Sequence, residues 1–165
     1  MAVKLNSELA AFFETGDQPS EAEFGHLIDS ILPAPVLLPT STDTLVKATH
    51  QGRVCVAGDV GSNIEYTIPQ PAAAGEWYKF IYGGAAVEAQ HHKFIVASAV
   101  IKGQITFFDT TADENAEVRI ADGTDDTQIQ LQVPQSFEVN MISYSSTVWY
   151  MWGWVTGGTI PTVFS

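Results

Sequence analysis

Charge is scarce in this chain, and positive charge scarcest. Of its 165 residues 16% are charged, with 7 Lys and Arg against 19 Asp and Glu, for a net charge of −12. A soluble domain usually carries about a quarter of its residues as charges. The acidic balance excludes the basic footprint that nucleic acid requires and disfavours an anionic membrane surface. There is one cysteine, Cys55, so no internal disulfide can form. It sits in the apolar run Val54-Cys55-Val56, the setting of a small buried hydrophobe. No apolar run reaches the roughly 18 residues that a membrane span needs. The opening MAVKLNSELAAFF also lacks the apolar segment of a signal peptide, so the expectation is folding in the cytoplasm.

Signatures of chemistry are scarce too. There is no G-x-S-x-G, no G-x-G-x-x-G and no phosphate-binding loop, and the cysteine lies in an apolar run. His26 and His50 stand alone. His91 and His92 are adjacent, and successive strand residues point to opposite faces. They read as loop residues; a metal would need one histidine from each of three chains on a threefold axis. Asp122-Gly123-Thr124-Asp125-Asp126, with Asp109, Asp113 and Glu114 nearby, lacks the spacing of an EF-hand. Asp and Gly are also the ordinary residues of turns. Carboxylate pairs of the glycosidase kind arise by chance among 19 acids. The expectation is a non-enzymatic protein with no catalytic residue, no metal and no cofactor.

What the chain does have is patterned apolar residues, 45% of the total. Leu5, Leu9, Phe12 and Phe13 form one helical stripe that ends at Gly16. Ser20 and Glu23 have capping-box spacing ahead of a second stripe, Phe24, Leu27, Ile28 and Ile31, which Pro33 and Pro35 stop. Helices this short cannot bury their stripes on each other alone. Residues 1–35 therefore read as a helical attachment module. Residues 36–44 read as a linker, with Val36-Leu37-Leu38 as an arm along a surface.

Residues 45–165 read as β throughout. Strands are expected at Leu45 to Thr49, Arg53 to Ala57, Asn63 to Ile68, Trp77 to Tyr82, Lys93 to Ile101, Gln104 to Asp109, Glu117 to Ala121 and Gln128 to Val133. The last and most aromatic element is a hairpin: Phe137 to Tyr144, a turn at Ser145-Ser146, and Thr147 to Val155. Strands at this spacing suggest an antiparallel β-sandwich, jelly-roll-like by preference and Greek-key otherwise, preceded by the short N-terminal α-helical hairpin. In the closing strand Tyr150, Trp152 and Trp154 share one face, and Trp149 and Met151 take the other. With both faces apolar, one is core and the other meets a sister subunit or a glycan. The candidates are Trp149, Tyr150, Trp152 and Trp154, with Trp77 as a further platform residue.

Phe12 to Ile31, FFETGDQPSEAEFGHLIDSI, resembles the F-F-x-T-G-D-x-P-[ST]-x-x-x-F-x-x-L-I-D-S segment near the N-terminus of many tailed-bacteriophage virion proteins, both fibre-like and head-decoration. A looser likeness joins Tyr66-Thr67-Ile68-Pro69 and the closing Trp149-Tyr150-Met151-Trp152-Gly153 to β domains of the same group. The resemblance implies a structural component of the virion, commonly a homotrimer with its N-terminal segment as the attachment end. Its partners would be itself and the major capsid protein or another virion protein. Its place would be the capsid surface, after synthesis in the host cytoplasm. The chain is short for a tail fibre and has no collagen-like or β-helical repeat, which favours a capsid decoration (cement) protein. The alternative is a carbohydrate- or receptor-binding module of a tail or head fibre, with a surface glycan as partner.

Overall fold

Alternation of large apolar with polar residues governs the chain beyond Leu45, and nearly every alternating run forms a strand. The computed structural model describes residues 20, 22, 34–84, 89–111, 116–158 and 162–163. The stripes expected at Leu5, Leu9, Phe12, Phe13, Phe24, Leu27, Ile28 and Ile31 lie outside these residues. The strands are β1 (Val36–Leu37), β2 (Asp43–Thr44), β3 (Val54–Ala57), β4 (Ile64–Ile68), β5 (Trp77–Tyr82), β6 (His92–Val96), β7 (Val100–Asp109), β8 (Ala116–Asp122), β9 (Gln128–Leu131), β10 (Pro134–Ser145), β11 (Val148–Gly157) and β12 (Thr162–Val163). One helical turn, α1 (Lys47–His50), precedes β3.

The strands form a seven-stranded sheet, β1-β3-β5-β10-β11-β7-β8, and a five-stranded sheet, β12-β9-β6-β4-β2. From β1 to β6 the chain alternates between the two sheets. Each strand therefore lies beside the one before last and parallel to it: β1 with β3, β3 with β5, β2 with β4, and β4 with β6. A parallel neighbour needs a crossover of about a dozen residues or more, and here a strand of the other sheet supplies it in place of a helix. The later strands pair antiparallel, apart from β11 with β7.

The expected antiparallel jelly roll is thereby corrected. The chain is mainly β, but its sheets are mixed and the described strands have no jelly-roll order. The error has a physical source. Gly58-Asp59-Val60-Gly61-Ser62 has the composition of a hairpin turn, but it carries the chain from one sheet to the other. The 36–44 stretch, expected as a linker, supplies an edge strand to each sheet. Leu45 to Thr49 is not a strand: α1 forms there, with the Val46 N–H donating to His50 Nδ1 at 3.0 Å and Lys47 Nζ 2.8 Å from Glu76 Oε2. The apolar run Lys93 to Ile101 changes sheet at Ala97-Ser98-Ala99, where Ser98 takes a φ of 48°. Gly103, in the gap expected between the strands ending at Ile101 and starting at Gln104, lies inside β7.

The inner faces of the sheets meet through aromatic side chains. Phe80 of β5 and Phe94 of β6 have ring centroids 4.6 Å apart, across the two layers. Tyr66 packs at a tilt against Phe94 at 5.4 Å and Phe137 meets it edge-on at 6.1 Å. On the other side Tyr78 joins Phe80 to Trp149, at 5.8 and 5.5 Å. All of these rings are fully buried. The hydroxyl of Tyr78 and the indole N–H of Trp149 are buried without hydrogen-bond partners, a cost of about 1–3 kcal/mol each that the seam's apolar burial must offset.

In the long sheet, two glycines let the central strands close up. Gly103 of β7 has φ 134° and Gly153 of β11 has φ 155°. A methyl at Gly103 would overlap the carbonyl of Met151, and one at Gly153 the carbonyl of Glu138. Those contacts are main chain to main chain and cannot be relieved by a rotamer change. Gly153→Ala is therefore expected to destabilise the protein by at least about 2 kcal/mol, measured as a lowered urea midpoint. Wild-type stability in this variant would show that β10 and β11 have room to separate.

Candidate outer-face site

The long sheet has two faces, and only the inner one is covered among the described residues. Strand register sets the other face into transverse rows. Trp77, Ile142, Tyr150 and Lys102 lie side by side on β5, β10, β11 and β7. The next row is Lys79, Asn140, Trp152, Gln104 and Ile120, ending on β8. The third is Ile81, Glu138, Trp154, Thr106 and Val118. Phe108 extends the apolar set along β7, and Tyr144 extends it beyond Ile142 on β10.

This face is apolar and charge-balanced. Trp77, Tyr150 and Trp152 are 40%, 45% and 42% exposed, and the Tyr150 and Trp152 rings are 6.0 Å apart. Its charges come in compensating pairs. Lys79 Nζ is 3.0 Å from Glu138 Oε1, and Lys102 stands opposite Asp122. The Asn140 amide also donates to Glu138, at 3.1 Å, and with Lys79 it holds that carboxyl below its ordinary range. Among the described residues, these rows set Lys79 and Lys102 against Glu138 and Asp122 and so carry no net charge.

The sequence-predicted aromatics divide as alternation requires. Tyr150 and Trp152 are on the outer face, and Trp154 is half-buried there between Glu138 and Thr106. Trp149 points inward with no exposed surface, so it belongs to the aromatic seam and not to the outer face. Sequence reasoning missed Phe108, Val118, Ile120, Ile142 and Tyr144. Around β8 the alternation was visible, but its polarity was not. Val118 and Ile120 point outward while Glu117 and Arg119 take the inner side, paired at 2.7 Å. A buried serine anchors the end of the face. Ser143 Oγ donates to the Ala73 carbonyl at 2.7 Å and accepts the Glu76 N–H at 2.8 Å, fixing the loop that leads into Trp77.

The residues weighed for metal or catalytic work are dispersed. His92 is enclosed by Tyr66, Tyr82 and Phe137, whereas His91 Nδ1 accepts the Val133 N–H at 3.3 Å. In the 122–126 loop Asp126 Oδ2 accepts the Asp122 N–H at 2.8 Å, and Asp122 Oδ1 accepts the Thr124 N–H at 2.8 Å. The second is the hydrogen bond of an Asx turn, and the first closes the loop back on its start. The Thr124 N–H also draws the Asp122 carboxyl below its usual range. Among the described residues, no three His, Cys, Asp or Glu side chains gather as metal ligands. No protein-family model, curated protein or solved structure matches the chain.

Cys55 is closed to chemistry. It has no exposed surface, and burial pushes its thiol up from 9.0 to about 12, against a smaller opposing pull from Arg53. A thiol whose folded value is raised contributes stability below its unfolded value, and that contribution is lost as pH rises through the interval above. Stability is therefore expected to fall as pH climbs from 9 towards 12, and Cys55→Ala should flatten part of that decline. Iodoacetamide at neutral pH should label Cys55 no faster than global unfolding; rapid labelling would show that the site opens locally.

Proposed function

We propose that the chain is a non-enzymatic structural protein of a tailed-phage virion, a homotrimeric decoration protein that cements the head shell. Its two-layered β part is the displayed body, a β-sandwich, and residues 1–35 are the attachment module. The observation that carries the reading is the apolar, amide-free cluster at the β8 end of the outer face. Phe108, Val118 and Ile120 are 44%, 50% and 70% exposed on the last two strands of the long sheet. A sheet edge with outward apolar side chains invites pairing with another chain.

Copies carrying a net charge of −12 repel one another. At this end, however, Glu117 pairs with Arg119 and Asp122 faces Lys102, so approach here costs little. The opposite end of the same sheet carries Leu37, 78% exposed on β1. Two unlike ends favour a head-to-tail contact, which with a threefold rotation closes into a trimeric ring and is incompatible with a twofold dimer. The motif at Phe12 to Ile31 supports a virion setting. Burial of roughly 800 Å2 per partner would make a standard contact, and many copies on a shell multiply its effect. A second reading, a carbohydrate- or receptor-binding module of a tail or head fibre, draws on a separate observation, the half-exposed rings of Tyr150 and Trp152.

Sedimentation velocity tests the contact. The wild type is expected to run as a trimer, and Ile120→Asp as a monomer with an unchanged circular-dichroism spectrum. A monomeric wild type would overturn the trimer, and a trimeric Ile120→Asp would move the contact elsewhere. Removing residues 1–32 should leave the β part soluble and abolish binding to expanded head shells of the parent phage. Retained binding would reassign attachment to the β part.

A further inference from the structure

We infer that the aromatic half of the outer face, built on Trp77, Tyr150 and Trp152, is a binding platform for a neutral oligosaccharide. A pyranose ring has an apolar face of C–H groups and a rim of hydroxyls. It is recognised by a flat aromatic surface beneath it and planar hydrogen-bonding groups beside it. The strand register supplies both. Trp77 and Tyr150 occupy one row with Ile142 between them, and Trp152 stands one pleat from Tyr150, with ring centroids 6.0 Å apart. The amides of Asn140 and Gln104 flank Trp152 on the two neighbouring strands.

The platform is preorganised. Each ring is about half covered by its sheet, so little side-chain freedom remains to be lost on binding. The Asn140 amide is already held by Glu138 at 3.1 Å. Ser143 fixes the loop before Trp77 through its bonds to Ala73 and Glu76.

Charge selects the class of ligand. The ions beside the rings are matched in sign: Lys79 is paired with Glu138 at 3.0 Å, and Lys102, next to Tyr150, stands opposite Asp122, so the platform carries no net charge for an anionic polymer. A neutral saccharide stacks on the rings and exchanges hydrogen bonds with the amides, and nothing in it needs a counter-ion. The apolar end at Phe108, Val118 and Ile120 begins on the neighbouring strand β7 and continues to β8, with Ile120 beyond Gln104 in the row of Trp152, and its three exposed side chains offer no hydrogen-bonding group.

Isothermal titration and tryptophan fluorescence against cello-, xylo-, manno-, malto- and chitohexaose provide the test. At least one neutral hexasaccharide is expected to bind with little salt dependence. Trp152→Ala and Tyr150→Ala should each weaken it roughly tenfold, the upper range of one aromatic contact, with thermal midpoints unchanged. Trp152→Phe should retain most of the affinity, and Ile120→Asp should leave it intact. No binding to any of the five at millimolar concentration would overturn the inference, as would binding indifferent to Trp152→Ala. If Trp152→Ala instead lowers the sedimenting mass, the face is a contact between copies and the saccharide site falls while the trimer stands.

Discussion

The ring contact between Phe80 and Phe94, with centroids 4.6 Å apart, joins the two layers, and the rest of the structure depends on it. Because the chain changes sheet after each of its first six strands, neither sheet is a contiguous piece of sequence. The parallel pairs of one layer are held in place by strands of the other. A sheet built this way gains its stability only when the inner faces meet. Burial of large aromatic side chains is the term able to offset the loop entropy of so many long-range pairings.

The outer face follows from the same constraint. Once Trp149, Met151 and Val155 face the seam, period-two alternation sends Tyr150, Trp152 and Trp154 outward. Likewise Ile105 and Phe107 inward on β7 fix Thr106 and Phe108 outward. The face then divides by composition. Its part around Trp77, Tyr150 and Trp152 combines rings with the amides of Asn140 and Gln104 and with paired ions, and its end at Phe108, Val118 and Ile120 is apolar and borders the β8 edge of the described sheet. We propose a saccharide for the first and a sister copy for the second because the amides flank Trp152, whereas Phe108, Val118 and Ile120 carry no group that can satisfy a hydroxyl.

Much of this could be read from the residues. Strand positions such as Asn63 to Ile68 and Trp77 to Tyr82 follow from alternation, and the aromatic hairpin formed with its two faces as expected. Pairing partners could not be read, because a Gly-Asp segment serves an arch between sheets as well as a hairpin within one. The outward placement of Val118 and Ile120 was equally hidden. Alternation says which side chains share a face, but only the register with β7 says which face is buried. Gly103 was misread because glycine in a strand signals a break or a close approach of main chains, and one sequence does not distinguish them.

The winding of the first strands also sets how the protein bears load. Tension applied through Ala34 meets β1 first, two residues paired among the described strands with β3 at a sheet edge. Next comes β2, again two residues and again an edge, this time of the other layer. Both yield by peeling, one backbone bond at a time. Leu38 and Leu45, buried in the core directly after these two strands, take the load next. A tether at this end would therefore lengthen by a short stretch of unpaired chain under small forces while the body stays folded, giving the protein a compliant stem on a stiff head.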